Sequence, residues 1–146
     1  MKKLAVFMFI AVLAHANLFA QSSPSIKDLL VSPVIQTDTL TGLPLEADGE
    51  LLSVNFKMEP IQAGQTVHVL VGTSQDNGDI ITWQNDLTQS GESYFIMSDG
   101  ENREISGNSL EIVLSLTETE YENFVYLSLY TENSSGETSE TLYFEK

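Results

Sequence analysis

Residues 125–144 read VYLSLYTENSSGETSETLYF. Val125, Leu127 and Leu129 alternate with Tyr126, Ser128 and Tyr130, and the return run places Tyr143 between Leu142 and Phe144. Side chains two apart share one face of a strand, so each run separates an apolar face from a polar one. Asn133-Ser134-Ser135-Gly136 lies between them as a turn. Pairing Glu132 with Glu137 across that turn sets Val125 opposite Phe144, Leu127 opposite Leu142 and Tyr126 opposite Tyr143. The apolar residues then fall on one side, and Tyr126, Tyr130 and Tyr143 on the other. Glu140, opposite Leu129, suits a rim position. The stretch predicts a β-hairpin with one buried face and one tyrosine face.

The same period runs outward through the chain. LLSVNFKM places Leu52, Val54, Phe56 and Met58 on one face, and TVHVLVGT does the same for Val67, Val69 and Val71. SLEIVLSL aligns Leu110, Ile112, Leu114 and Leu116. These are half-buried strands by pattern and by β-branched content. The gaps carry turn chemistry: DNGD at 76–79, SDGE at 98–101 and SGNS at 106–109. SIKDLL at 25–30 leads into a first strand, LLVSPVIQ, whose Pro33 marks an edge. Residues 37–50 form a long mixed connection, and no segment sustains a helical period. The expectation is an all-β fold: a single antiparallel β-sandwich of about seven to nine strands.

Three segments carry a family likeness. The closing hairpin resembles the last hairpin of immunoglobulin-like and fibronectin type III-like domains, with an alternating strand, an Asn-x-x-Gly turn and a returning strand. VHVLVGTSQDNGD resembles their third-strand region, and Tyr121, after Leu116, sits near the corner where they often place a tyrosine. The chain departs from the family pattern in having no cysteine pair and no tryptophan before Trp83. The resemblance implies an immunoglobulin-like sandwich serving adhesion, spacing or recognition rather than catalysis.

The N-terminus, MKKLAVFMFIAVLAHANLFAQSSP, has the layout of a secretory signal peptide: Lys2 and Lys3, then an uncharged apolar run, then small residues. The apolar run of about ten residues is too short to span a bilayer ~30 Å thick. Cleavage after Ala20 leaves Gln21 first; cleavage after Ala16 leaves Asn17 first. The first is favoured, dividing the chain into a signal peptide (1–20) and one domain (21–146). Export across the inner membrane follows, to the periplasm or the extracellular space. No later segment is apolar enough to span a membrane.

Of the 146 residues, 126 remain after that cut, enough for one packed core. They keep Lys27, Lys57, Arg103 and Lys146 against all 21 acids, a formal charge of −17. Such a surface repels nucleic acid and anionic lipid and favours cations, basic partners or simple solubility. Cysteine is absent, which removes disulfides, thiol catalysis and thiolate metal sites.

The search for chemistry finds little. His68, the one histidine of the mature chain, falls mid-strand between Val67 and Val69. A lone histidine is a poor basis for a triad or a zinc site. No glycine-rich phosphate loop, HExxH or GxSxG occurs. Calcium is the one metal to weigh: Asp76, Asn77 and Asp79 offer oxygens in one loop, as do Asp99, Glu101 and Asn102, and Glu118, Glu120 and Glu122. None completes an EF-hand, and turns bearing solubilising charge are the simpler reading.

The function expected is a small, acidic, exported, non-catalytic module with a structural or protein-interaction role and no cofactor. The alternative is a carbohydrate-binding module using Tyr126, Tyr130 and Tyr143, with Trp83 as a further ring. The tyrosine face is a candidate platform for a protein or glycan partner; the other reading is that cross-strand tyrosines stiffen a solvated sheet.

Overall fold

The computed structural model describes residues 23–37, 39–43 and 49–146. The predicted leader and both cleavage points lie outside the described residues. Nine described strands form two antiparallel sheets packed as a β-sandwich. One sheet has the order β1 (Ser25–Val34), β2 (Gly49–Glu59), β7 (Ser109–Thr117). The other has the order β6 (Glu101–Glu104), β5 (Ser93–Ser98), β4 (Ile81–Ser90), β3 (Thr66–Gly72), β8 (Tyr126–Glu132), β9 (Leu142–Glu145).

The alternation read from the sequence is the alternation of the core. Leu52, Val54, Phe56 and Met58 of β2, Leu110, Ile112, Leu114 and Leu116 of β7, and Val67, Val69 and Val71 of β3 are all buried between the sheets. Leu127 and Leu129 of β8 complete this layer. Burying such side chains contributes about 1.5–3 kcal/mol each, and a cysteine-free domain holds together on that packing. β1 is an edge strand, where Pro33 loses no ladder bond to an outer neighbour. SIKDLL is strand from Ser25 onward, with a bulge between Lys27 and Leu30 and Asp28 at φ 59°.

Three features depart from the sequence reading. A six-residue helix, α1 (Glu118–Asn123), joins β7 to β8. Thr117 and Glu120 close a capping box at its start: the Glu120 carboxylate accepts from the Thr117 N–H at 2.8 Å, and the Thr117 hydroxyl accepts from the Glu120 N–H at 3.3 Å. Tyr121 therefore stands on a helix, edge-on to Phe124 at 5.6 Å, with the Lys146 ammonium over its ring at 4.5 Å.

The second departure is the β3–β4 connection. Asn77-Gly78 does not form a two-residue hairpin turn, because the connection spans residues 73–80 and its left-handed residue is Asp76, at φ 58°. Gly78 is required by contact instead: a Cβ there would lie 2.4 Å from the Thr82 hydroxyl. Asp99-Gly100 does behave as read, with both residues at positive φ between β5 and β6.

The third is the course of β4. It pairs with β3 from Ile81 to Asp86 and with β5 from Leu87 to Ser90. This switch carries the β5–β6 hairpin round to the free edge of β7. There the buried Ser98 hydroxyl accepts from the Val113 N–H at 2.7 Å and donates to the Val113 carbonyl at 3.0 Å. On the opposite side β1 packs against β8 and β9.

Candidate functional site

With Val67, Val69, Val71, Leu127 and Leu129 pointing inward, their neighbours on β3, β8 and β9 must point outward. Tyr126, Tyr130 and Tyr143 all stand on this outer face of the six-stranded sheet. The three residues singled out as a tyrosine face thus share one surface. Their mutual spacing differs from the expected hairpin. Tyr126 pairs with Glu145 and Tyr143 with Ser128, so the two tyrosines are diagonal rather than directly opposed.

Two one-residue slips produce this register. The Gly136 N–H donates to the Asn133 carbonyl and the Asn133 N–H to the Glu137 carbonyl, both at 2.9 Å, which closes a turn with Gly136 at φ 83°. Glu132 is thereby bridged to Thr138 rather than Glu137. A further residue is taken up between the Ser139–Thr131 hydrogen bond and the Leu142–Leu129 pair. One slip would exchange the faces; two restore them. Val125 falls before β8 and is 38 % exposed, outside the apolar face assigned to it.

Two of the three tyrosines are set beside a carboxylate, and the third is stacked on a histidine. The Tyr143 hydroxyl lies 3.0 Å from both carboxylate oxygens of Asp76. That bond, then partial desolvation, holds the Tyr143 hydroxyl above the usual tyrosine range. Tyr126 is raised in the same direction, first by the negative charge of Glu145. Tyr130 lies flat on His68, with ring centroids 4.4 Å apart and planes 6° from parallel. His68 Nε2 is buried without a hydrogen-bond partner, 3.7 Å from a Glu132 carboxylate oxygen.

The loop of Asp76, Asn77 and Asp79 folds over one end of this face. The Asp76 N–H donates to the Ser128 hydroxyl at 3.1 Å, and Ser128, although it points outward, is 1 % exposed. Asp79 accepts from the N–H and hydroxyl of Thr73, at 2.9 and 2.8 Å, and these bonds hold its pKa below the usual carboxylate range. A Cβ on Gly72 would meet the Asn77 carbonyl at 1.9 Å, so glycine is what lets the loop lie this close. Asp76 and Asp79 thus serve as acceptors that fasten a loop to a sheet. Among the described residues no three His, Cys, Asp or Glu side chains gather in a metal-binding cluster.

Trp83 stands apart from the tyrosines. It pairs with the buried Val69 and packs against the core, on the inner face of the sheet. A cleft of about 440 Å³ lies over the other sheet, with Leu51, Asp99, Ser115 and Glu120 in its lining. Its Glu120 carboxylate is the one committed to the capping box. His68 was legible as a lone histidine, but its stack on Tyr130 was not, because cross-strand partners depend on β3–β8 register.

The fold defines an all-β sandwich protein, and no helix among the described residues is long and apolar enough to cross a membrane. A scan against protein-family models, a search of curated proteins and a search of solved structures each returned no match.

Proposed function

We propose that this chain is an exported, non-catalytic interaction module of immunoglobulin-like or fibronectin type III-like kind, which binds a partner protein through the outer face of its six-stranded sheet. The observation that carries the reading is the convergence of Tyr126, Tyr130 and Tyr143 on one sheet surface. Tyrosine gives broad, rigid, amphipathic contact at low entropy cost, which suits recognition. The strand order supports the family reading. β1-β2-β7 stands where those families place their A, B and E strands, and β3-β8-β9 where they place C, F and G. β5 and β6 are then an added hairpin beside a C′-like β4. The signal-peptide layout of residues 1–20 supports export to the periplasm or beyond.

Affinity capture from the producing cell's envelope tests the reading, with the exported chain compared to a Tyr126→Ser/Tyr130→Ser variant. A partner retained by the first and lost by the second supports it. Equal capture by both overturns the assignment of the face. Intact mass of the exported chain should begin at Gln21; a retained Met1 would remove the export step.

A carbohydrate-binding role uses the same tyrosines and is favoured by the flat Tyr130–His68 stack, on which a sugar ring can lie. It proceeds without Trp83. Glycan-array binding that Tyr130→Ser abolishes would establish it in place of the protein partner.

A further inference from the structure

The charges of the two sides of the sandwich are segregated. Lys57 is spent on Asp28 at 2.8 Å, beside Lys27 on the three-stranded sheet. Arg103 pairs with Ile96, whose side chain is buried, and its guanidinium reaches Glu101 and Glu111, each at 3.3 Å. Lys146 sits over the Tyr121 and Phe124 rings and donates to the Tyr121 and Glu122 carbonyls of α1. No described lysine or arginine stands on the tyrosine face. That face carries Glu132 beside His68, Glu145 beside Tyr126 and, on β4, Asp86, which accepts from the Thr66 hydroxyl at 2.6 Å. Among the described residues no lysine or arginine compensates these carboxylates, and they stand among aromatic rings.

We infer that the outer face of the six-stranded sheet docks a lysine- and arginine-rich segment of a partner protein. The inference rests on the interaction-module reading and names the chemistry of the partner. Ammonium and guanidinium groups are attracted both to carboxylates and to the faces of tyrosine rings. A surface that interleaves the two offers each basic side chain both contacts. The His68–Tyr130 stack holds the two rings parallel with centroids 4.4 Å apart, and a guanidinium can stack on the ring face that His68 leaves uncovered. A basic segment also relieves the mutual repulsion of carboxylates on a chain whose exported part carries −17.

The test is an NMR titration of the exported chain with three disordered peptides of equal length: Lys/Arg alternating with Ser, Glu alternating with Ser, and Gly alternating with Ser. The basic peptide should shift amides of β3, β8 and β9, centred on His68 and Tyr130. Asp86→Asn/Glu132→Gln/Glu145→Gln should weaken binding about tenfold through the loss of three exposed charge contacts. Glu50→Gln/Glu118→Gln/Glu122→Gln, an equal charge change elsewhere, should leave the affinity nearly unchanged. Equal weakening by both triple variants, or shifts spread over both sheets, would reduce the effect to general charge attraction and overturn the inference. Binding of the neutral or acidic peptide at the same face would also overturn it, while leaving the interaction-module reading in place. An oligosaccharide that shifts the same amides when the basic peptide does not would overturn both.

Discussion

The Tyr143 hydroxyl, on the last strand, lies 3.0 Å from both carboxylate oxygens of Asp76, 67 residues earlier in the chain. This contact fastens the β3–β4 loop across the sheet and covers Ser128 beneath it. Tyr143→Phe should leave the fold intact and speed hydrogen exchange at the Asp76 amide. Tyr126→Phe should leave that amide unchanged. Equal exchange rates in the wild-type and Tyr143→Phe chains would mean that the Ser128 contact alone holds the loop.

Alkaline titration reads the carboxylates beside the rings. Tyr143 and Tyr126 are raised, the first by its hydrogen bond to Asp76 and the second by the charge of Glu145. Their protonated forms are therefore favoured in the folded state. The stability they contribute is complete below the unfolded value of about 10 and is lost as pH rises through the folded values. Ultraviolet titration should show the highest tyrosine steps vanish in Tyr126→Phe and Tyr143→Phe. Glu145→Gln should lower the Tyr126 step towards the ordinary range; an unmoved step would remove Glu145 as the cause.

Engineered cross-links test the register. Ser128 and Tyr143 are directly paired, whereas Tyr126 and Tyr143 are diagonal neighbours. Directly opposed Cβ atoms lie about 4.5–5.5 Å apart and diagonal ones roughly 7–8 Å, beyond disulfide reach. Ser128→Cys/Tyr143→Cys should oxidise to a disulfide, and Tyr126→Cys/Tyr143→Cys should not. The opposite result would restore the simple four-residue turn.

The outcome at this hairpin shows what was legible in the sequence. Face assignment follows from alternation alone, so Leu127, Leu129, Leu142 and Phe144 were read to the right side. The pairing partner depends on how many residues the turn absorbs, and two compensating slips leave no mark on the alternation. β4 escaped for a different reason. Asn85 occupies an inward position, and Thr88, Gln89 and Ser90 are exposed in succession. A polar residue on the inner face and a run of exposed ones mask the period-two signal. The helix α1 is too short to show a 3.6-residue period, although Thr117-x-x-Glu120 carried its capping signature. Trp83 was grouped with the tyrosines because its phase on β4 follows from its pairing with Val69, which composition does not reveal.

Core and edge substitutions separate the faces by magnitude. Leu127, fully buried, should cost roughly 2–5 kcal/mol as Leu127→Ala, and Val125→Ala, before the strand and exposed, about 0.5 kcal/mol or less. Denaturant midpoints at constant slope measure both. Similar losses would return Val125 to the core face.

Ser98→Ala tests the side on which the β5–β6 hairpin meets β7. It strips a buried N–H and carbonyl of Val113 of their partner, a loss of about 1–3 kcal/mol. Ser98→Thr should retain most of the stability by keeping the hydroxyl. If alanine proves as stable as serine, the hairpin is not held to the edge by this bond.

The most direct test of the tyrosine face as a binding surface is site-specific photo-cross-linking in the producing cell. A photoreactive residue replaces Tyr130 on the outer face of the six-stranded sheet or, separately, Glu111 on the opposite sheet. A discrete protein adduct from position 130 with none from position 111 is the predicted result. An adduct from position 111 alone, or the same adduct from both, would contradict it.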